Sequence, residues 1–126
     1  MGQSQDAVPI SSASNGVQNA MADKKELLVN KAMALFAEGG YTAVGIDRIL
    51  AEAGVAKMTL YKYFPSKVDL ILEVLTKRDD YFRTSLMAAA DAKKTTSTKI
   101  QALFTWHDEW FNREDFNGCM FINAAA

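Results

Sequence analysis

Lys57, Lys62 and Lys67 recur at intervals of five in the segment AGVAKMTLYKYFPSK (residues 53–67), with Thr59, Tyr61 and Tyr63 between them. Ammonium and hydroxyl groups in such a set can bind phosphate oxygens, and a side chain projecting between them can reach the edges of bases. The competing reading makes Tyr61 and Tyr63 boundary residues, with rings against a core and hydroxyls in water. Stepping about 100° per residue around a helix separates the members. Leu60 and Phe64 fall on one side and Met58 and Lys62 on the other. Tyr61 lines one flank, and Thr59 with Tyr63 the other. Lys57 avoids burial by its place in the first turn.

Charge follows the same segment. The 126-residue chain has a net charge of −1, which excludes a globally basic binder but not a basic face. Residues 57–78 carry five bases against two acids, whereas residues 79–126 carry five against seven. Cys119 is the only cysteine, so an intramolecular disulfide or a four-cysteine zinc site is not available. Neither a basic-then-apolar leader nor an apolar run near the ~18 residues of a membrane span is present, and a soluble cytoplasmic protein is expected.

The elements that must hold this segment are legible in outline. Residues 1–20, rich in Ser, Gln, Asn and Ala, read as a disordered tail. Asp23 and Glu26 form a capping-box pattern ahead of Leu28, Ala32, Leu35 and Phe36, one face of a first helix that Gly39 and Gly40 end. Ile46, Ile49, Leu50 and Ala53 mark a short second helix, broken at Gly54. A third runs from about Ala56 to Phe64 and stops before Pro65. Ser66 and Asp69 cap a long fourth helix to about Asp91, with Val68, Ile71, Leu75, Phe82, Leu86 and Ala89 as its apolar row. KKTTSTK is a polar loop, and Ile100, Leu103, Phe104, Trp110 and Phe111 mark a fifth helix. NREDFNG is a further loop, and another helix begins at about Cys119. The glycine turn between the second and third helices suggests a helix-turn-helix, whose last helix enters the DNA major groove.

The residues AGVAKMTLYKYFPSKVDLILEVL resemble the recognition segment of the TetR family of bacterial transcriptional regulators, and LFAEGGYTAVGIDRIL is similar to the stretch that precedes it. FNGCMFINAAA resembles a segment common in the family's ligand-binding domains. The resemblance implies an all-α fold: a three-helix DNA-binding domain over residues 21–70, then a long linking helix and part of a helical ligand-binding and dimerisation domain over 71–126. It assigns DNA contacts to Lys57, Met58, Thr59, Tyr61, Lys62, Tyr63 and Lys67, with Gly45 and the nearby hydroxyl of Thr42 at the start of the second helix. Val44 and Gly45 stand where the family commonly carries hydroxyl residues, and Ala56 where a capping serine is frequent.

The resemblance also implies a repressor that a small-molecule effector releases from a pseudo-palindromic double-stranded DNA operator, acting as a homodimer. Phe82, Leu86, Phe104, Trp106, His107, Trp110 and Phe121 are the candidate ligand contacts, with no cofactor or metal. Plain core packing is the alternative for these aromatics. The AAA ending reads as a truncation, so a complete dimer and pocket are not expected of the chain as given. The other functional reading is accordingly a helical interaction fragment that no longer regulates DNA. An enzyme is not indicated, because no nucleophile with a base, metal set or phosphate loop stands out.

Overall fold

The computed structural model describes residues 12–126. They form six helices: α1 (Ser12–Gly39), α2 (Ile46–Ala53), α3 (Lys57–Tyr63), α4 (Lys67–Asp91), α5 (Thr96–Phe111) and α6 (Met120–Ala125). The described residues contain no strand, as expected for an all-α chain.

Leu28, Val29, Ala32, Leu35 and Phe36 of α1 face Ile49 and Ala53 of α2, Leu60 of α3 and Leu70 and Val74 of α4 in one buried cluster. Val44, Val55 and Phe64, from the connecting turns, and Met120 of α6, whose carbonyl accepts from the Tyr41 hydroxyl at 2.9 Å, complete it. The period of the α1 row brings four large apolar residues to one side, and burying each is worth roughly 1.5–3 kcal/mol. Gly40 ends α1 with φ +84°, and its amide donates to the Phe36 carbonyl at 2.9 Å. Lys77 of α4 donates to Asn30 of α1 and lies 4.0 Å from Glu26, which ties the two long helices on the solvent side.

Three expectations are corrected. The tail was placed at residues 1–20, but α1 begins at Ser12 and runs through the capping pattern at Asp23; residues 1–11 lie outside the described residues. From Val17 to Glu38 neither proline nor glycine interrupts the chain, and Gln18, Ala20, Met21 and Ala22 are good or fair helix formers. The box at Asp23 therefore competes with an existing helix instead of starting one. Thr95 and Thr98 form a reciprocal cap that draws part of the predicted polar loop into α5. On α4 the buried row is Leu70 and Val74, with Ile71 and Leu75 at its margin, and Val68 is 61% exposed.

α4 extends for roughly 37 Å and carries the chain away from the first three helices, and α5 packs back along it. Ala90 and Ala102 are the buried contacts of that second unit. Ile100, Phe104 and Phe111 are exposed, Phe104 at 74%, so of the row that marked α5 in the sequence only Leu103 and Trp110 are partly buried. The packing between the two helices falls to the side of α5 that carries Ala102 and Trp106, with Trp110 at its edge.

Candidate nucleic-acid interface

The turn between α2 and α3 depends on Gly54, whose φ of +67° and ψ of +34° place it in the left-handed region. Its amide and that of Val55 both donate to the Leu50 carbonyl, at 2.9 and 3.3 Å. Val55 is buried immediately after the turn, which fixes where α3 starts. Leu60 and Phe64 then pin the inner side of α3. Met58 is 87% exposed, and Lys57, Tyr61 and Lys62 are exposed with it, while Thr59 is half-buried. The expected division between core pair and outer strip is present, with one adjustment. Tyr63 packs partly against the cluster, its ring 6.3 Å from that of Phe64, so less of it faces outward than a flank position suggested.

The first turns of α2 and α3 lie side by side, with Lys57 Nζ 3.8 Å from Asp47 Oδ1. Both groups are well exposed, so the pair contributes little to stability and leaves the ammonium accessible. Gly45, just before Asp47, is exposed at the start of α2 and gives that helix no side-chain cap. Thr42 is also exposed, in the turn ahead of it. Val44, at a place where the resemblance leads one to expect a hydroxyl, is fully buried. Ala56 begins α3 in extended backbone without a cap.

Lys67, the first residue of α4, is positioned by a strong local signal. Ser66 Oγ accepts from the Asp69 amide at 3.2 Å, and the Asp69 carboxylate accepts from the Ser66 amide at 3.0 Å. The Lys67 ammonium lies 5.8 Å from the Phe36 ring centre, with its stem laid over the core. Thus Lys57, Met58, Tyr61 and Lys62 share one exposed strip, Thr42 and Gly45 lie at the α2 start, and Lys67 stands at the next helix start.

The candidate ligand residues divide. Phe82 meets Trp106 and Trp110 edge-on at 5.2 and 4.9 Å, and His107 lies against Trp106 at 5.1 Å. The His107 ring nitrogen Nδ1 is 2.8 Å from the Leu103 carbonyl, and Trp106 donates to Ser85 Oγ at 2.8 Å. Leu86 is half-buried on the same helix as Phe82. Phe104 and Phe121 stand outside this group and are exposed. A cleft of about 220 Å³ is lined by Tyr81, Phe82, Ser85, Trp106, Glu109, Trp110 and Arg113, and one of about 420 Å³ continues past Trp106 between Ala89 and Ala102.

Sequence reasoning missed the residues behind this cluster. The Arg78 guanidinium sits 4.1 Å over the Phe82 ring, and burial, helped by the neighbouring Arg113, makes its charged form less favourable. Arg113 and Asp115 pair at 2.7 Å, which stabilises both charges: the guanidinium holds its proton more strongly and the carboxyl gives its own up more readily. Arg78 at four residues before Phe82 was the available signal.

Residues 28–74, from the buried face of α1 to the first third of α4, match the family model described as bacterial regulatory proteins, tetR family. The chain belongs to the TetR family. Among TetR-family relatives and other matches, it is 33% identical over 92 residues to the HTH-type transcriptional activator FasR of Mycolicibacterium smegmatis, covering 68% of this chain and 42% of FasR. It is 39% identical over 59 residues to the HTH-type transcriptional repressor KstR of Rhodococcus jostii, covering 47% of this chain and 28% of KstR. A crystal structure of a TetR-family transcriptional regulator from Streptomyces coelicolor superposes with a TM-score of 0.78 at 33% identity, over 81% of this chain and 54% of that one. The chain thus spans less than half the length of these curated relatives. An all-α TetR-family fold with an N-terminal helix-turn-helix is therefore established.

Proposed function

We propose that this chain is the DNA-binding part of a non-enzymatic transcriptional regulator, with α3 lying in the major groove of an operator. The observation that carries the reading is the two-sidedness of α3: Leu60 and Phe64 are fixed in the core while Met58, Tyr61 and Lys62 project together. Lys62 and Met58 reach base edges; Lys57, Tyr61, Lys67, Thr42 and the Gly45 amide hold phosphates; Thr59 and Tyr63 support the strip from its flank. Residues 21–70 act as the DNA-binding domain and 71–126 as part of the effector domain. Within the latter, Phe82, Leu86, Trp106, His107 and Trp110 line the effector side, and Phe104 and Phe121 do not contribute. A homodimeric repressor in the cytoplasm, released from a pseudo-palindrome by a small molecule, is the whole-protein function this supports. No described helix is long and apolar enough to cross a membrane.

Titration of binding to the gene's own upstream DNA against salt tests the reading. Affinity is expected to fall steeply with salt and to favour one site over scrambled duplex. Binding that ignores both salt and sequence would refute it. Lys62→Ala is expected to relax sequence preference and Lys67→Ala to weaken all sequences about equally.

A further inference from the structure

Met58, at 87%, is the most exposed large apolar side chain among the described residues. It stands in the outer strip of α3, with Lys57 before it and Lys62 one turn on, on the same side of the helix. Packing does not account for a thioether there. α3 is held from its other side by Leu60 and Phe64, and the Met58 sulfur fills no gap in the core. Three other methionines differ. Met120 is 4% exposed in the core cluster, and Met33 is half-buried against that cluster. Met87, at 51%, lies on α4 roughly 30 Å along the helix from its start. Cys119, the only thiol, is half-buried. The sulfur most open to a reagent in solution is therefore the one in the middle of the strip that meets DNA in the reading above.

We propose that Met58 is an oxidation site through which hydrogen peroxide weakens the hold of α3 on DNA; the proposal rests on the reading of α3 as the helix that enters the major groove. The sulfur lone pair attacks one peroxide oxygen, and the S–O bond forms as the O–O bond breaks. Hydroxide departs and takes the proton left on the transferred oxygen, so the products are methionine sulfoxide and water. Sulfur gives up two electrons and the peroxide accepts them. The sulfoxide is polar where the thioether was apolar, so it no longer suits contact with a thymine methyl. Its oxygen is also a new acceptor. Lys62, four residues on, is placed to donate to it, which draws that ammonium away from base edges. Formal charge is unchanged and no core contact is lost, so α3 keeps its fold while its outer strip changes chemistry. Sulfoxide reductases reverse the step, which makes it a switch and not only damage. Duplex seated on α3 covers the same sulfur, so bound DNA shields Met58 from the oxidant.

The test treats the full 126-residue chain with hydrogen peroxide, follows each methionine by peptide mass spectrometry, and measures affinity for the gene's own upstream duplex before and after. Met58 is expected to oxidise well ahead of Met33 and Met120, and bound duplex to slow Met58 while leaving Met87 unchanged. Sulfoxide at Met58 is expected to weaken specific binding about tenfold, the size of one mismatched base pair, and a methionine sulfoxide reductase to restore it. Met87→Leu is expected to lose affinity on treatment as the wild type does. Met58→Leu, whatever its starting affinity, is expected to lose none. Met58 that oxidises no faster than Met120, or that oxidises fully with affinity unchanged, overturns the proposal. So does an equal loss in Met58→Leu, which places the effect at Cys119 or another methionine. If Met58→Leu binds no duplex, the wild type decides: a loss that the reductase does not reverse, or a Met58 rate that bound duplex leaves unchanged, overturns it. A chain that binds no duplex before treatment refutes the DNA-binding reading, and the role of Met58 with it.

Discussion

Ala56→Ser is expected to stabilise the protein by about 1 kcal/mol, because α3 starts without a cap in backbone already shaped for one. Ala56 has φ −71° and ψ 147°, the extended geometry of an N-cap residue, and is exposed, so an added hydroxyl meets no packed wall. Three residues on, the Thr59 amide is one of the first-turn donors that an α-helix leaves unpaired. Ser66 shows the same exchange completed, with its hydroxyl accepting from the Asp69 amide at 3.2 Å. Thr59 is a weaker return partner than the Asp69 carboxylate, although Thr98 fills that role for Thr95 in α5, and the gain belongs near the middle of the range of roughly 0.5–2 kcal/mol for a single cap. For a cooperative unit of this size that corresponds to a rise in Tm of roughly 4 °C. Thermal melts followed by circular dichroism at the helical band, with Ser66→Ala as the reverse change, provide the assay. If Ser66→Ala lowers Tm while Ala56→Ser leaves it unchanged or reduces it, the missing cap is not what limits α3.

The remaining predictions use the same contrasts. Leu60→Ala is expected to cost about 2–5 kcal/mol in chemical denaturation, whereas Met58→Ala, on the same helix, is expected to leave stability within about 0.5 kcal/mol and alter only DNA selection. Burial pushes the Tyr41 phenol above its ordinary value, Cys119 adding to this and Arg78 opposing it. The neutral form is therefore favoured in the folded state, so its contribution is whole below pH 10 and is lost as pH rises through the elevated folded value; Tyr41→Phe is expected to remove that alkaline component from a stability-versus-pH profile. Gly39→Ala and Gly40→Ala are both expected to destabilise, for different reasons. A β-carbon at 39 would lie 2.9 Å from Val44 Cγ2, while at 40 the space is open but φ is +84°. A double-mutant cycle with Val44→Ala is expected to show coupling at 39 and none at 40.

The parts of the fold that local chemistry determines were legible from sequence. Ser66 with Asp69, Gly54 in its turn, and Leu60 with Phe64 each declare their role within a few residues, because a cap, a left-handed turn and a helical face are short-range facts. The start of α1 was not legible, since the capping pattern at Asp23 indicates a start only where the chain before it is not already helical. The rotation of α5 was hidden for another reason. Periodicity marks an apolar face without saying which of two faces packs closely, and here Ala102 is buried while Phe104 is exposed. Met120 was invisible because its burial depends on a partner 79 residues away, Tyr41, whose own sequence context advertises only a turn. For the outer strip of α3, the sequence separated inner from outer residues correctly and misjudged only how far Tyr63 leans inward.

Both tryptophans of the chain, Trp106 and Trp110, lie in the aromatic cluster between α4 and α5, and none lies in α1–α3. Their emission therefore senses one half of the molecule only, with the His107 ring 5.1 Å from that of Trp106. Far-ultraviolet dichroism, by contrast, sums over every helix. Unfolding curves recorded by the two signals on the same sample would coincide if the halves melt as one body and separate if they do not, without any label or substitution.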